Sequence, residues 1–204
     1  MTYERDDLLS ANPAGVADIL KDKHAFIAGA GGLGSNVATL LIKAGIGRVT
    51  IVDYDTIDPS NLNRQQFFFD QIGQVKVEAL KHNLERMNPF AQVDAVNSKL
   101  TNDNFDEIVP ADCDIIFECF DNPVCKAELV RFCLGKRKNI PTVAVSGIAG
   151  AGTAETITVT NVCGNLHMVG DLESAVEDGL GTLATRVMCG ASLQAHTGMQ
   201  LLLK

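Results

Sequence analysis

What the chain lacks narrows it first. Its six cysteines, Cys113, Cys119, Cys125, Cys133, Cys163 and Cys189, include no Cys-x-x-Cys pair. Structural zinc is usually held through such pairs, so no zinc is expected. The cysteines read as reduced thiols, several of them small core residues. No uninterrupted apolar run is long enough to span a bilayer, and no membrane partner is expected. Met1 to Asp7 is polar and charged, unlike a secretory leader, so the expected compartment is cytoplasmic. Basic residues are in deficit: 17 Lys and Arg face 25 Asp and Glu, a formal charge of −8. Nucleic-acid surfaces need the opposite balance to displace counterions, so no nucleic-acid partner is expected, although a local cationic pocket stays compatible. His24, His82, His167 and His196 are scattered, and no tyrosine–lysine constellation marks a hydride-transfer site. Internal repeats and low-complexity tracts are absent too.

What is present centres on residues 25–64. The apolar run Ala25-Phe26-Ile27-Ala28 leads into Gly29-Ala30-Gly31-Gly32-Leu33-Gly34, a small-residue helical pattern from Ser35 to Ala44, and a second run, Val49 to Val52, stopping at Asp53. This is the strand, glycine turn, helix, strand and acid order of a nucleotide-binding βαβ unit. Gly29 permits the tight turn, Gly31 and Gly32 let backbone N–H groups approach phosphate oxygens, and Gly34 allows helix and strand to pack closely. The helix N-terminus favours an anion. Asp53 follows Gly34 by about the 20 residues expected of an acid that holds ribose hydroxyls. No Lys-Ser or Lys-Thr follows the glycines, so the turn is not a P-loop, and the glycines alone do not identify the nucleotide.

At 204 residues and 46% apolar, the chain suits a single domain over 1–204 with a substantial core. The expected fold is α/β, a doubly wound, mostly parallel Rossmann-like sheet with an antiparallel edge. Residues 1–15 read as a polar stretch ending in a turn, with Arg5 solvated, and 16–20 as a short helix. Residues 54–66 read as a loop; Pro59 argues against calcium there, and Asp55 reads as a turn former. Helices are expected over 73–87, where Val77, Leu80, Leu84 and Met87 form a stripe, and from Pro123 to about Lys138, with Asn122 as cap. Residues 104–109 are a shorter helical candidate. Strands are expected at 92–96, 114–119 and 142–146, and a half-buried edge strand at 156–160. Residues 163–181, rich in glycine and acid, read as a long mobile surface segment. A core helix over 183–203 closes the chain and takes Cys189 into the interior.

Two cations bear on which nucleotide the turn takes. A pyrophosphate diester can be satisfied by a helix N-terminus, whereas ATP needs cations over its outer phosphates or a metal. Arg64 lies just beyond the acid loop, and Lys76 stands in the first turn of the next helix, where it opposes the helix dipole unless something negative is beside it. Each would otherwise read as a solvated surface cation.

Ordered strings add more: Asp53-Tyr54-Asp55, Asn61-Leu62-Asn63-Arg64-Gln65-Gln66, Gly73-Gln74-Val75-Lys76 and Cys119-Phe120-Asp121-Asn122. From about residue 16 onward they resemble the ThiF/MoeB/HesA family, the bacterial branch of the ubiquitin-activating superfamily. The Gly170-Asp171 loop and the length most resemble a compact ThiF-type member. The resemblance implies adenylation, by ATP with Mg2+, of the C-terminal Gly-Gly carboxylate of a ubiquitin-fold sulfur carrier protein of the ThiS kind. It implies Asp53 on the ribose, Asn61 and Arg64 on the phosphates, Arg64 and Lys76 balancing their charge, and Asp121 as the Mg2+ ligand. It also implies a homodimer, with Arg5 the one candidate for a residue reaching the partner's site. Asp121 has a plainer reading as a helix cap, and Asn61 as a residue that orders its loop. The family's paired zinc cysteines are missing, and neither Cys163 nor Cys189 sits in a catalytic-cysteine motif. An NAD(P)-dependent oxidoreductase, a molybdopterin-pathway carrier adenylyltransferase and a tRNA-base dehydratase of the same superfamily remain alternatives, the last disfavoured by the acidic charge.

Overall fold

In chain order the protein forms α1 (Arg5–Leu9), α2 (Val16–Leu20), β1 (His24–Ala28), α3 (Gly32–Ala44), β2 (Arg48–Asp53), α4 (Lys76–Met87) and β3 (Gln92–Asn97). Then come α5 (Phe105–Ile108), β4 (Ile115–Glu118), α6 (Pro123–Lys136), β5 (Thr142–Val145), β6 (Thr158–Cys163), β7 (Leu166–Gly170) and α7 (Ala184–Leu202). This is a computed structural model, and it describes residues 3–175 and 181–204.

The strands make one seven-stranded sheet, ordered β3-β2-β1-β4-β5-β7-β6. Every pairing is parallel except β6 with β7. The expected doubly wound sheet with an antiparallel edge is therefore the observed fold. β1 is buried at every position, and alternation along it serves opposite faces. Ala25 and Ile27 pack with Val37, Leu41, Leu80, Leu84, Ala191 and Ala195, from α3, α4 and α7. Phe26 and Ala28 pack on the other face with Phe105, Leu129 and Cys133, from α5 and α6. Strands covered on both faces are largely apolar, and β1 and β4 at the centre of this sheet are so apart from His24 and Glu118 at their ends. The winding reverses between β1 and β4, which opens a crevice at the carboxyl ends of these strands, where doubly wound sheets place ligands.

Several expectations need correction. Residues 166–170, read as surface segment, form β7, an interior strand between β5 and β6. Gly164, at φ +51°, turns the preceding strand back into it, so this glycine marks a hairpin rather than mobility. Residues 176–180 of that segment lie outside the described residues. The edge strand runs 158–163, not 156–160, and is exposed at every position rather than half-buried, because its extensive packing is with β7 alone. Cys163 ends it in solvent. The helix expected from Gly73 starts at Lys76; Gly73, at φ +84°, belongs to a turn, and Val75 bridges to Thr56. Cys189 is exposed, since α7 turns Arg186, Val187, Gly190, Ala191, Gln194 and Ala195 inward. Cys113, Cys119 and Cys133 are the buried thiols. Arg5 is not solvated: its guanidinium donates to Ala17 O (2.8 Å) and Gly45 O (3.0 Å), tying α1 to the end of α3. Among the described residues no helix is long and apolar enough to cross a membrane.

α7 seats on the sheet through Gly198, where a Cβ would stand 2.2 Å from Phe117 Cζ and 3.0 Å from Ile115 Cδ1. Both neighbours are fully buried and cannot yield. Gly198→Ala is expected to destabilise the protein by about 1–3 kcal/mol, the usual cost of overpacking. Urea unfolding checks this, and an unchanged midpoint would contradict the seating.

Candidate functional site

At the end of β1 the chain turns through Gly29, at φ +105°, whose N–H donates to Val52 O at 2.8 Å. A Cβ on Gly34 would stand 1.8 Å from Gly29 O, so only glycine lets α3 press against the strand it leaves. Gly31 is the N-cap of α3 and offers no side chain to cap it. No hydrogen bond among the described residues ends on the N–H groups of Gly31, Gly32, Leu33 or Gly34. Four donors at the positive end of a long helix thus open on the crevice, an arrangement that binds anions. Asp53 closes the adjacent side, its carboxylate accepting from Ala30 N (2.7 Å) and Asp55 N (2.9 Å).

The loop after Asp53 brings the cations in. Asn61 orders that loop: its Oδ1 accepts from Asp58 N at 3.1 Å. The Arg64 stem lies over the glycine turn, with Cγ and Cδ 3.5 Å from where a Gly32 Cβ would stand. Among the described residues its Nη1 donates only to neutral oxygens, Ser60 O (3.1 Å) and Asn63 Oδ1 (2.8 Å). No ion pair among the described residues includes Arg64. The backbone here is held by α3, as Asn36 Nδ2 donates to Arg64 O (2.9 Å) and Gln66 Nε2 donates to Asn36 Oδ1 (2.7 Å). Lys76 is buried rather than solvated, and its ammonium meets Asp55 Oδ2 at 2.9 Å. Asp55 is therefore no mere turn former. It supplies the negative neighbour a lysine needs at a helix N-terminus.

The far wall comes from β4, α6 and α7. Cys119 O lies 2.9 Å from where a Gly29 Cβ would stand, which sets the end of β4 against the glycine turn. Glu118 is almost fully buried; burial pushes its carboxyl pKa up, against the pull of Lys126, which donates at 2.8 and 3.0 Å. Phe120 N also donates to it at 2.8 Å, fixing the turn that follows. Asp121 stands exposed on that turn and makes no hydrogen bond or ion pair among the described residues. It does not cap α6. Asn122 does, accepting from Val124 N (2.9 Å) and Cys125 N (3.1 Å). Nor does any such contact join Asp121 to Arg64 or Lys76. Gln194 on α7 donates to Glu118 O and Val143 O, both at 2.9 Å. Val187 lies 3.1 Å from where a Gly32 Cβ would stand. Beside it, buried Arg186 binds Gly152 O, Thr153 O and, at 2.7 Å, Asp171 Oδ2.

The glycines, Asp53 and the Arg64 stem thus form one contact set, with Lys76 joined to it through Asp55 and Asp121 on the opposite lip. Sequence reasoning missed Glu118, Lys126, Arg186 and Gln194, because buried polar partners leave no local pattern. Among the described residues no group of three or more His, Cys, Asp or Glu could hold a metal. A concavity of about 530 Å³ lined by Phe68, Asp70, Gln71, Gln74, His82 and Arg86 shares none of these residues.

A match to the ThiF family covers residues 3–204. The chain belongs to the ThiF family. It is 32% identical over 159 residues to the molybdopterin-synthase adenylyltransferase of Haemophilus influenzae, across 78% of this chain and 64% of that protein. It is 30% identical over 145 residues to the tRNA threonylcarbamoyladenosine dehydratase of Escherichia coli, across 71% and 53%. This ThiF-family chain therefore spans between about half and two thirds of the length of these curated relatives. The crystal structure of the E. coli tRNA N6-threonylcarbamoyladenosine dehydratase in complex with ATP matches with a TM-score of 0.85, covering 96% of this chain and 92% of that one. At 23% identity that likeness establishes the shared fold.

The Asp171–Arg186 pair carries a pH dependence. Burial works to raise the Asp171 pKa, but hydrogen bonds from Ser174 and from Glu173 N, with the Arg186 charge, outweigh it and hold it at about 2. An unfolded aspartate titrates near about 4. Folded Asp171 thus adds stability above pH about 4 that is lost as pH falls toward about 2. The stability gap between wild type and Asp171→Asn should be widest at neutral pH and shrink over that window in denaturant titrations. A gap independent of pH would refute the assignment.

Proposed function

We propose that this chain is an ATP-dependent adenylyltransferase acting on the C-terminal carboxylate of a ubiquitin-fold sulfur carrier protein of the ThiS kind, releasing pyrophosphate. The observation that carries the reading is the pairing of four helix N–H groups with an arginine, neither of which has an acidic partner among the described residues, on a chain of net charge −8. A cation left unbalanced in an acidic protein, beside vacant anion donors, fits a polyanionic substrate.

In this reading the N–H groups of residues 31–34 receive phosphate oxygens and Asp53 receives the ribose hydroxyls. Asn61 holds its loop in place and contacts the phosphates. Arg64 swings from its neutral acceptors onto the triphosphate, and Lys76 shares its charge between Asp55 and the phosphates. Asp121, exposed and without a partner among the described residues, would hold Mg2+. Magnesium is commonly held by one or two carboxylates together with substrate phosphates and water, so one acid on this lip fits it without a protein cage. Bound there, the ion would neutralise charge developing on the α- and β-phosphates. The acceptor carboxylate is already ionised and needs no protein base. It attacks the α-phosphorus, forming the acyl-adenylate while pyrophosphate leaves. The protein's work is positioning and cancelling repulsion between two anions. A homodimer belongs to the same proposal, but Arg5, engaged within its own chain, is not free to serve a partner's site without breaking two hydrogen bonds.

The likeness to a tRNA threonylcarbamoyladenosine dehydratase favours a second reading, in which the activated carboxylate belongs to a tRNA base. The charge of −8 weighs against it. ATP–pyrophosphate exchange stimulated by Gly-Gly-ending carriers of the thiazole and molybdopterin kinds, set against modified tRNA, separates these. Arg64→Ala and Asp121→Asn should each lower exchange by about 10²–10³, the scale of one lost electrostatic contact in the transition state. Near wild-type exchange by Arg64→Ala would remove the cationic cradle from the proposal.

A further inference from the structure

Adjacent glutamines in the cation loop are treated very differently. Gln66 is engaged: its side-chain Nε2 donates to Asn36 Oδ1, its main-chain N–H donates to Ser35 Oγ, and its main-chain carbonyl accepts from Asn83. Gln71, a little further on, is also paired, exchanging hydrogen bonds with Asn83. Gln65 is only 8% exposed, yet neither end of its side-chain amide makes a hydrogen bond among the described residues, and Oε1 is buried with no partner. An orphaned buried amide group costs about 1–3 kcal/mol. Folded chains rarely keep one without a use for it.

Its place suggests the use. The Gln65 Nε2 lies 3.8 Å from where a Cβ on Gly31 would stand, against the N-cap of α3 and its vacant N–H groups. The next residue back is Arg64, whose stem covers Gly32. Amide oxygen and nitrogen are nearly isosteric, so in either orientation one polar end sits at the glycine turn and the other is unfilled. We infer that Gln65 is a nucleotide-binding residue, its amide free of partners among the described residues so that it can donate to a phosphate chain laid on the N-terminus of α3. Resting on the adenylation reading above, this adds a neutral donor that spans the turn between the helix N–H groups and Arg64.

Gln65→Met keeps length and volume and discards the amide. Without nucleotide its Tm should equal or exceed that of wild type, because an unfilled polar group has been removed. Its Kd for ATP, by calorimetry, should rise about ten- to hundredfold, the worth of a hydrogen bond to a charged group, with adenosine affinity unchanged. Gln65→Glu, which sets a carboxylate against the phosphates, should weaken ATP binding further than Gln65→Met does. A Gln65→Met protein that melts lower or fails to fold would make the side chain part of the fold and overturn the inference. So would wild-type ATP affinity in both variants. Wild-type protein that binds no ATP would instead sink the adenylation reading, and this one with it.

Discussion

The absence of one side chain, at Gly34, lets α3 start where it does. Any Cβ there would meet Gly29 O at 1.8 Å, so with another residue the helix would have to lift away from the strand. Because it does not, the vacant N–H groups of residues 31–34 face the crevice between β1 and β4. Asp53 then reinforces the turn by accepting from Ala30 N, and the end of β4 closes on Gly29. The loop that carries Arg64 is hung on the same helix through Ser35 and Asn36. Moving α3 would therefore move donors, acid and cation together.

Charge at this edge follows a consistent rule. Lys76 is matched by Asp55, Lys126 by Glu118 and Arg186 by Asp171. Each matched pair has at least one largely buried member, so removing either partner would strand a charge in a poorly solvated place. Among the charges proposed for the phosphates and the metal, Arg64 and Asp121 depart from the rule, a cation resting on neutral oxygens and an acid resting on nothing among the described residues. They lie on opposite lips of the crevice, which is where a substrate of one charge with a counterion of the other would be met. Gln65 repeats the theme without charge, as a buried amide with no partner among the described residues, next to Gln66, whose amide donates to Asn36.

Much of this was legible in the residues. The βαβ unit, the Asn122 cap and the α4 stripe rest on local spacing, and local spacing survives folding. The family strings located Asp53, Arg64, Lys76 and Asp121 in the chain. The misreadings have one cause in common. β7 looks like a surface segment because its burial comes from β5 and β6 on either side, not from its own pattern. Asp55 looks like a turn former until Lys76, 21 positions away, folds onto it.

What the amino-acid order determined by itself was therefore the periodic and the steric: most of the runs that pair into the sheet, where glycine alone fits at the turn, and which face of α4 turns inward. The tertiary structure decided which polar groups are spent on one another and which are left over. Partnership between side chains far apart in sequence depends on their being brought within about 3 Å, and no local pattern encodes that distance. The unmatched guanidinium, carboxylate and amide could be recognised only once every other partner had been accounted for.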